Sequence, residues 1–392
     1  MERTAIKTRR DMAQYLNERM TSTYWDARTR QRLEKSMVKT YCIEAHVPDG
    51  RSGIHDRVLQ FLNSICGAVD GSVRFTEEES FFVIQAKAKS ERVELFVDAS
   101  DQRFWIVHST SRSSDVDRVT DRLIKDTPTL DRAWFPMEML EGMTRKGSFR
   151  GMGLNFDRRK MDGKGDTEEK EFIANEDRDI PVEYLSLRLW GNKAGDVLRI
   201  LRDKDALPRS TTLSSVRIKH WLNRSEDMFA LDDIKYNGKV TGTGTSFESH
   251  IFVVTDLYRK YKARIRRIEN EYALRYSTNE QGGVGISGAP FNFIFPTPID
   301  DLDRFCESLF TCSAPFRLWG IPTFVNDHYV RVCAVDLHVG CGLNFEISNE
   351  FMRVYLPEGS CGNTIARLYT NLQHYYDACV EIEIGDEKEL FN

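Results

Sequence analysis

Residues 39–47, KTYCIEAHV, followed by 54–68, IHDRVLQFLNSICGA, decide the fold. The first stretch is rich in β-formers and has the length of one strand. The second puts Ile54, Val58, Phe61, Leu62 and Ile65 on one side, the spacing of a buried helical stripe. Working outward, strands are expected at Ser72–Phe75, Phe81–Lys89, Val93–Asp98 and Arg103–His108, with Ser100-Asp101 as the last tight turn. A closing helix, Asp115–Lys125, follows Ser113-Ser114, which can cap its free amides, and buries Val116, Val119, Leu123 and Ile124.

The same order is legible twice more. A second copy reads as strand Val182–Trp190, helix Ala194–Arg202, strand Thr212–Trp221, a hairpin at Tyr236-Asn237-Gly238-Lys239, strand Phe247–Val254 and helix Asp256–Leu274. A third reads as strand Phe291–Phe295, helix Asp301–Phe310, then strands Phe316–Phe324, Tyr329–His338, Leu343–Ser348 and Phe351–Leu356. Helix Asn363–Asp377 and a final strand, Cys379–Ile384, end it. Laid without gaps on the first copy, Phe345 falls on Phe96, Val354 on Trp105, Ile365 on Val116, Leu368 on Val119 and Leu372 on Leu123. The expected class is α+β: three tandem β-α-β-β-β-β-α units, antiparallel sheets with helices on one side, plus a helical N-terminal segment. Boundaries follow: a helical arm at 1–37, repeats at 38–156, 181–275 and 291–392, a charged linker or insertion at 157–180 and a Gly-rich linker at 276–290.

This order of elements resembles one half of the TATA-binding-protein fold and, more loosely, the helix-grip fold that encloses apolar ligands. The first resemblance implies an open sheet face for nucleic acid, the second a cavity between sheet and helix. Both rest on element order, with no diagnostic motif, so function has to be argued from sites.

Hydrophobic content of 41% and charged content of 29% are those of a soluble globular protein. No apolar run reaches 18 residues, and Met1-Glu2-Arg3-Thr4 leads into no hydrophobic signal, so a cytoplasmic protein without membrane association is expected. Eight scattered cysteines form no CxxC pair and read as reduced thiols. The net charge of −5 is unevenly placed. Residues 181–275 carry eighteen Lys/Arg against twelve Asp/Glu, and 298–392 carry six against fifteen. A basic and an acidic repeat suggest different partners, or attraction between repeats in an oligomer.

Catalytic chemistry is hard to place. Gly282–Gly288 lacks the Lys-Ser/Thr of a phosphate loop and precedes its strand, so it reads as a linker. Gly-Thr-Gly-Thr at 242–245 reads as a bulge or turn. His46, Asp49, His55 and Asp56 crowd one turn, but Pro48-Asp49-Gly50 is ordinary turn chemistry and Asp56 complements a helix dipole. Cys333 and His338 alternate to opposite faces, and Cys361 has no base near it in sequence. Asp300, Asp301 and Asp303 open a helix, where Asp is a favoured cap. No catalytic set, metal or cofactor is assigned.

The positive evidence lies in the second copy. Alternation puts Leu185, Leu187 and Leu189 on one face of its first strand and Arg188 and Trp190 on the other. On Thr212–Trp221, Arg217, Lys219 and Trp221 oppose Val216, Ile218 and His220. Cations neutralise phosphates and aromatic rings stack on bases, so Arg188, Trp190, Arg217, Lys219 and Trp221 form the candidate nucleic-acid site. Arg259, Lys260, Lys262, Arg264, Arg266 and Arg267 line the polar side of the following helix as a second basic surface. The expected function is a non-catalytic protein that binds or senses DNA or RNA through the second repeat. Its acidic third repeat would take a protein partner or self-associate, in a multi-protein bacterial system such as phage defence. The alternatives are a protein-only adaptor or oligomeric scaffold, and a helix-grip binder of a small apolar ligand.

Overall fold

A computed structural model of the chain describes residues 6–30, 37–51, 53–89, 91–157, 161, 184–203, 211–222, 227–278, 283–385 and 390–391. The first part runs α1 (Arg9–Arg30), β1 (Val38–Ala45), α2 (Ile54–Cys66), β2 (Ser72–Arg74), β3 (Phe81–Lys87), β4 (Arg92–Asp98), β5 (Phe104–Ser109) and α3 (Ser113–Asp126). Then come β6 (Leu130–Arg132), α4 (Met137–Thr144), β7 (Ser148–Asp157), β8 (Tyr184–Trp190), α5 (Ala194–Asp203), β9 (Thr212–Trp221), β10 (Phe229–Lys235), β11 (Lys239–Gly244) and α6 (Phe247–Arg267). After a π-helical turn at Ile268–Tyr272 the chain forms β12 (Arg275–Thr278), β13 (Val284–Ser287), β14 (Phe291–Ile294), α7 (Leu302–Phe310) and β15 (Leu318–Asn326). It ends with β16 (Tyr329–Asp336), β17 (Gly342–Ser348), β18 (Phe351–Tyr355), α8 (Asn363–Tyr375) and β19 (Glu381–Glu383). The class is α+β with antiparallel pairing, and among the described residues no sheet closes into a barrel.

Two compact units result, and neither is continuous in sequence: 1–133, 143–149 and 217–260 make the first, and 134–142, 150–216 and 261–392 the second. In the first, strands lie in the order β2-β3-β4-β5-β1-β11-β10, with β6 also on β1. One side of this sheet packs on α2 and α3 through Tyr41, Ile43, Phe82, Leu95, Trp105, Val58, Leu62, Val116 and Leu123. On the opposite side Leu16 and Met20 of α1 join Val38, Phe81, Phe96 and Phe247. Helices therefore cover both faces here, where they were expected on one side.

In the second unit β15-β16-β17-β18-β14-β19 form a six-stranded sheet. Its helix side is joined by ring contacts from Phe310 of α7 to Phe345 (5.0 Å) and from Tyr369 of α8 to Phe293 (6.2 Å). Every residue of α8 is buried although half are polar. Several of its polar groups find buried partners. Arg367 pairs with Asp336 and donates from Nε to the Phe316 carbonyl at 2.9 Å, and Asn363 accepts from Tyr261 Oη at 2.5 Å.

Strand order within 38–132 and within 291–383 is the same, since β6 sits on β1 as β19 sits on β14. The gapless overlay is nonetheless out of step. Phe96 lies in the cluster with α1, whereas Phe345 faces α7, because Phe96 pairs with His108 and Phe345 with Val354, a shorter hairpin. The middle stretch is built differently: β7 separates β9 from β8, and among the described residues three strands lie between α5 and α6. The fourth, expected at Phe247–Val254, is the first half of α6.

The Gly-rich stretch 276–290 contains a strand pair, β12 with β13, in place of a flexible connection. Apart from Asp157 and Met161, the charged segment 157–180 lies outside the described residues, as do Val182 and Glu183.

Candidate nucleic-acid interface and a buried histidine network

β9 keeps the alternation read from its sequence. Val216, Ile218 and His220 are buried, while Arg217, Lys219 and Trp221 are half-buried on the other face. Lys219 Nζ lies 3.8 Å from the Phe229 ring centroid and 5.1 Å from that of Trp221, a cation–π arrangement. Arg188 and Trp190 are exposed on β8, Trp190 beside Gly151 of β7. Compactness divides the five: Arg217, Lys219 and Trp221 belong to the first unit, Arg188 and Trp190 to the second.

Within the first unit the face of Lys219 continues across the sheet. Asp232 of β10 turns toward His220 and α6, so Leu231, Asp233 and Lys235 share the face of Lys219. On β11 Thr241 pairs with Asp233, and on β1 Lys39 pairs with Thr241 and Tyr41 with Lys239. Arg217, Lys219, Lys235, Lys239 and Lys39 thus stand on one side of four strands. Sequence reading missed Lys235, Lys239 and Lys39, since nothing local links β1 to β11.

At the β1 end the cations are buried beside the start of α3. Lys239 Nζ meets Asp117 at 2.6 and 2.7 Å and donates to Ser113 Oγ at 2.8 Å, while Tyr41 Oη donates to Asp117 at 2.6 Å. Lys39 Nζ donates to the Ser111 carbonyl at 2.7 Å. Burial, helped by Lys239, pulls the Lys39 ammonium down to about 8 against the pull of Asp117 and Glu91.

The second basic surface is partly neutralised. Asp256 collects Arg259 at 2.8 Å, Lys260 at 3.4 Å and Lys146 at 3.6 Å, and Arg267 meets Glu271 at 2.9 Å. Arg264 and Lys262 are half-buried and Arg266 is exposed on the same helix.

On the other face of the first unit's sheet lies a polar network that sequence reading did not find. Thr40 Oγ1 stands 2.8 Å from His108 Nδ1 and 2.7 Å from His250 Nε2. His250 Nδ1 is 2.5 Å from Asp232 Oδ1, and His220 Nε2 is 2.8 Å from Asp232 Oδ2. All five residues are buried. Hydrogen-bond matching orders the protons: His250 donates through Nδ1 to Asp232 and accepts the Thr40 hydroxyl at Nε2, so Thr40 accepts from His108 Nδ1–H. Hydroxyl, imidazole and carboxylate stand in the order of a nucleophilic triad. Thr40 and His250 have no exposed surface, however, and the arrangement serves as a core network.

Gly242 makes the network possible, because a Cβ there would overlap His250 Nδ1 and Asp232 Oδ1. That is the role of a motif expected to be a bulge or turn. Burial alone would push the Asp232 carboxyl up, but His250 beside it and hydrogen bonds from both imidazoles hold it below the usual carboxylate range. Burial and nearby His250 push His108 down to about 3. The only sequence signal was His220 on the inward face of β9.

The histidines and acids of the 46–56 turn do not converge. His46 Nε2 lies 3.1 Å from Glu44 Oε1, His55 Nδ1 accepts from Ser80 N at 3.2 Å, and Asp49 pairs with Arg57 at 3.1 Å. Asp301 caps α7 by accepting from Arg304 N at 2.9 Å. Among the described residues no helix is long and apolar enough to cross a membrane.

The chain is similar to the uncharacterized protein MJECL33 of Methanocaldococcus jannaschii, with 27% identity over 97% of this chain and 94% of that protein. A family described as MJECL33-like protein matches residues 1–391, nearly the full length of the fold just described, and the chain belongs to that family.

Proposed function

We propose that the protein is a non-catalytic, cytoplasmic nucleic-acid-binding protein that holds a phosphate backbone at the β9–β10 end of one sheet face of its first unit. The observation that carries this reading is the set Arg217, Lys219 and Lys235, half-buried on one side of the adjacent strands β9 and β10, with Trp221 beside Lys219. Cations at strand spacing neutralise successive phosphates, and a half-buried indole gives a base a surface to stack on. We also infer that 38–132 and 291–383 descend from one TATA-binding-protein-like unit, because their strand orders agree. The middle copy does not share that order.

Fluorescence anisotropy with mixed-sequence DNA and RNA oligonucleotides tests the reading. The double variant Arg217→Glu, Lys219→Glu should weaken binding of every sequence and flatten its salt dependence by roughly one unit of slope per lost phosphate contact. Trp221→Ala should cost about 1–3 kcal/mol of binding if the ring stacks on a base. Ile218→Ala, on the opposite face of β9, is the control and should affect stability alone. Binding by a folded double variant equal to that of the parent would overturn the proposal.

A second reading, a protein-only adaptor, is favoured by one observation. The second unit's sheet leaves a face uncovered, where Trp319 is 47% and Ile321 65% exposed at the edge strand β15.

A further inference from the structure

Strand edges that face solvent usually carry a device that stops other chains from pairing with them: short length, proline, a bulge or charge. Most edges here conform. β2, β6 and β19 have three residues each and β12 and β13 four, and β15, though nine long, carries Pro322 and a bulge at Phe324/Asn326. β8 is the exception. It spans seven residues with no proline and an unbroken register on β7, and among the described residues nothing pairs with its other edge. Its last residue, Trp190, is 46% exposed, and Val197 and Ile200 stand exposed on one flank of α5, the helix that follows.

One contact fixes which backbone groups face that edge. Gly191 N donates to the Arg150 carbonyl at 2.8 Å, so these two, one step beyond Trp190 and Gly151 in the β7–β8 register, form a hydrogen-bonded pair. Such pairs alternate along an antiparallel ladder. Leu185, Leu187 and Leu189 therefore turn their N–H and C=O groups toward β7, and Tyr184, Ser186, Arg188 and Trp190 turn theirs outward. The outward set is symmetric about Leu187. Laid antiparallel on a second copy, with Leu187 on the two-fold axis, Ser186 meets Arg188 and Tyr184 meets Trp190, so every outward group is matched. No like charges are opposed. Shifting the register by two residues either drops Trp190 from the ladder or sets Arg188 against Arg188. That self-match argues for a second copy of this chain over a foreign strand.

We propose that β8 is a dimerisation edge, at which two copies of the chain pair antiparallel, Leu187 against Leu187, and join their sheets across a two-fold axis. The nucleic-acid reading is separate, since it rests on β9 and β10.

Sedimentation equilibrium of the full chain should give twice the 45.4 kDa mass of one chain, and a monomer at every concentration would overturn the proposal. Substitutions at position 186 then test the register. Ser186→Arg opposes two guanidinium groups twice per dimer and should raise the Kd of the dimer several-fold, whereas Ser186→Asp sets a carboxylate opposite Arg188 twice and should lower it. A dimer whose Kd follows neither change is formed elsewhere, and the proposal falls. Ser186→Pro removes only an outward N–H, so it should give a monomer with the far-UV circular dichroism of the parent; a folded variant that stays dimeric counts against the edge. Should that variant fail to fold, Leu187→Cys decides. Directly opposed residues without backbone hydrogen bonds lie about 4.5 Å apart at Cα, within disulfide range. Mild oxidation should therefore cross-link the Leu187→Cys protein beyond the level of the parent, and the Ser186→Cys protein no more than the parent. Cross-linking of both, or of neither, refutes the pairing.

Discussion

His108 is neutral in the folded protein because burial and nearby His250 leave an imidazolium no welcome, with its pKa pushed to about 3. Unfolded, the same side chain takes a proton below about pH 6.5. The sign follows from linkage: in the window from about 6.5 down to 3 the unfolded chain binds more protons, so stability falls as the solution is acidified. The slope from this residue approaches about 1.4 kcal/mol per pH unit once the pH is well below 6.5. Urea unfolding at steps from pH 7.5 to 4.5 measures it, and His108→Asn should remove most of the slope. Equal slopes in parent and variant would show that His108 does not carry the effect. Asp232 belongs to a lower window, since a carboxyl held down loses its contribution only as pH falls toward and below the ordinary carboxylate range. Keeping the scan above pH 4.5 separates the two.

At the scale of elements, the clearest lesson comes from α6. Its first half contains Ile251-Phe252-Val253-Val254, a run that favours a strand by propensity. Local capping and tertiary packing decide otherwise. Ser246 Oγ accepts from Ser249 N at 3.1 Å, Asn17 Oδ1 accepts from Phe247 N at 2.9 Å, and Val253, Val254, Leu257 and Tyr258 form one buried stripe. Ser246→Ala should therefore cost about 1 kcal/mol, read from chemical denaturation, whereas a strand at this position would be indifferent to the change. Elements such as β3, β4, α2 and α3 were legible from sequence to within a residue or two. Of the candidate site, Arg217, Lys219 and Trp221 could be read because alternation along one strand orders them. Lys39 and Lys239 could not, because their shared face exists only once β1 has paired with β11. The histidine network was hidden for the same reason: its members come from β1, β5, β9, β10 and α6.

At the scale of the whole molecule, the first unit is assembled from three separated stretches of chain. β1 is held between β5, which follows soon after it, and β11, which arrives only at Lys239. Thr40 and His108 meet His250 and Asp232 only when that later stretch has joined. A fragment of residues 1–133 should consequently lack a cooperative urea transition and fixed near-UV circular dichroism, although α2, α3 and β2 to β5 are all present. A sharp transition in that fragment would mean that the later strands are dispensable.

The interval between β1 and β11 also matters to the cell. A ribosome lengthens the chain by about 5–20 residues per second, so β1 emerges on the order of ten seconds before the strand that covers its far edge. Through that delay an apolar, hydrogen-bond-hungry strand edge stands open to neighbouring nascent chains. Slower translation prolongs the exposure of that edge.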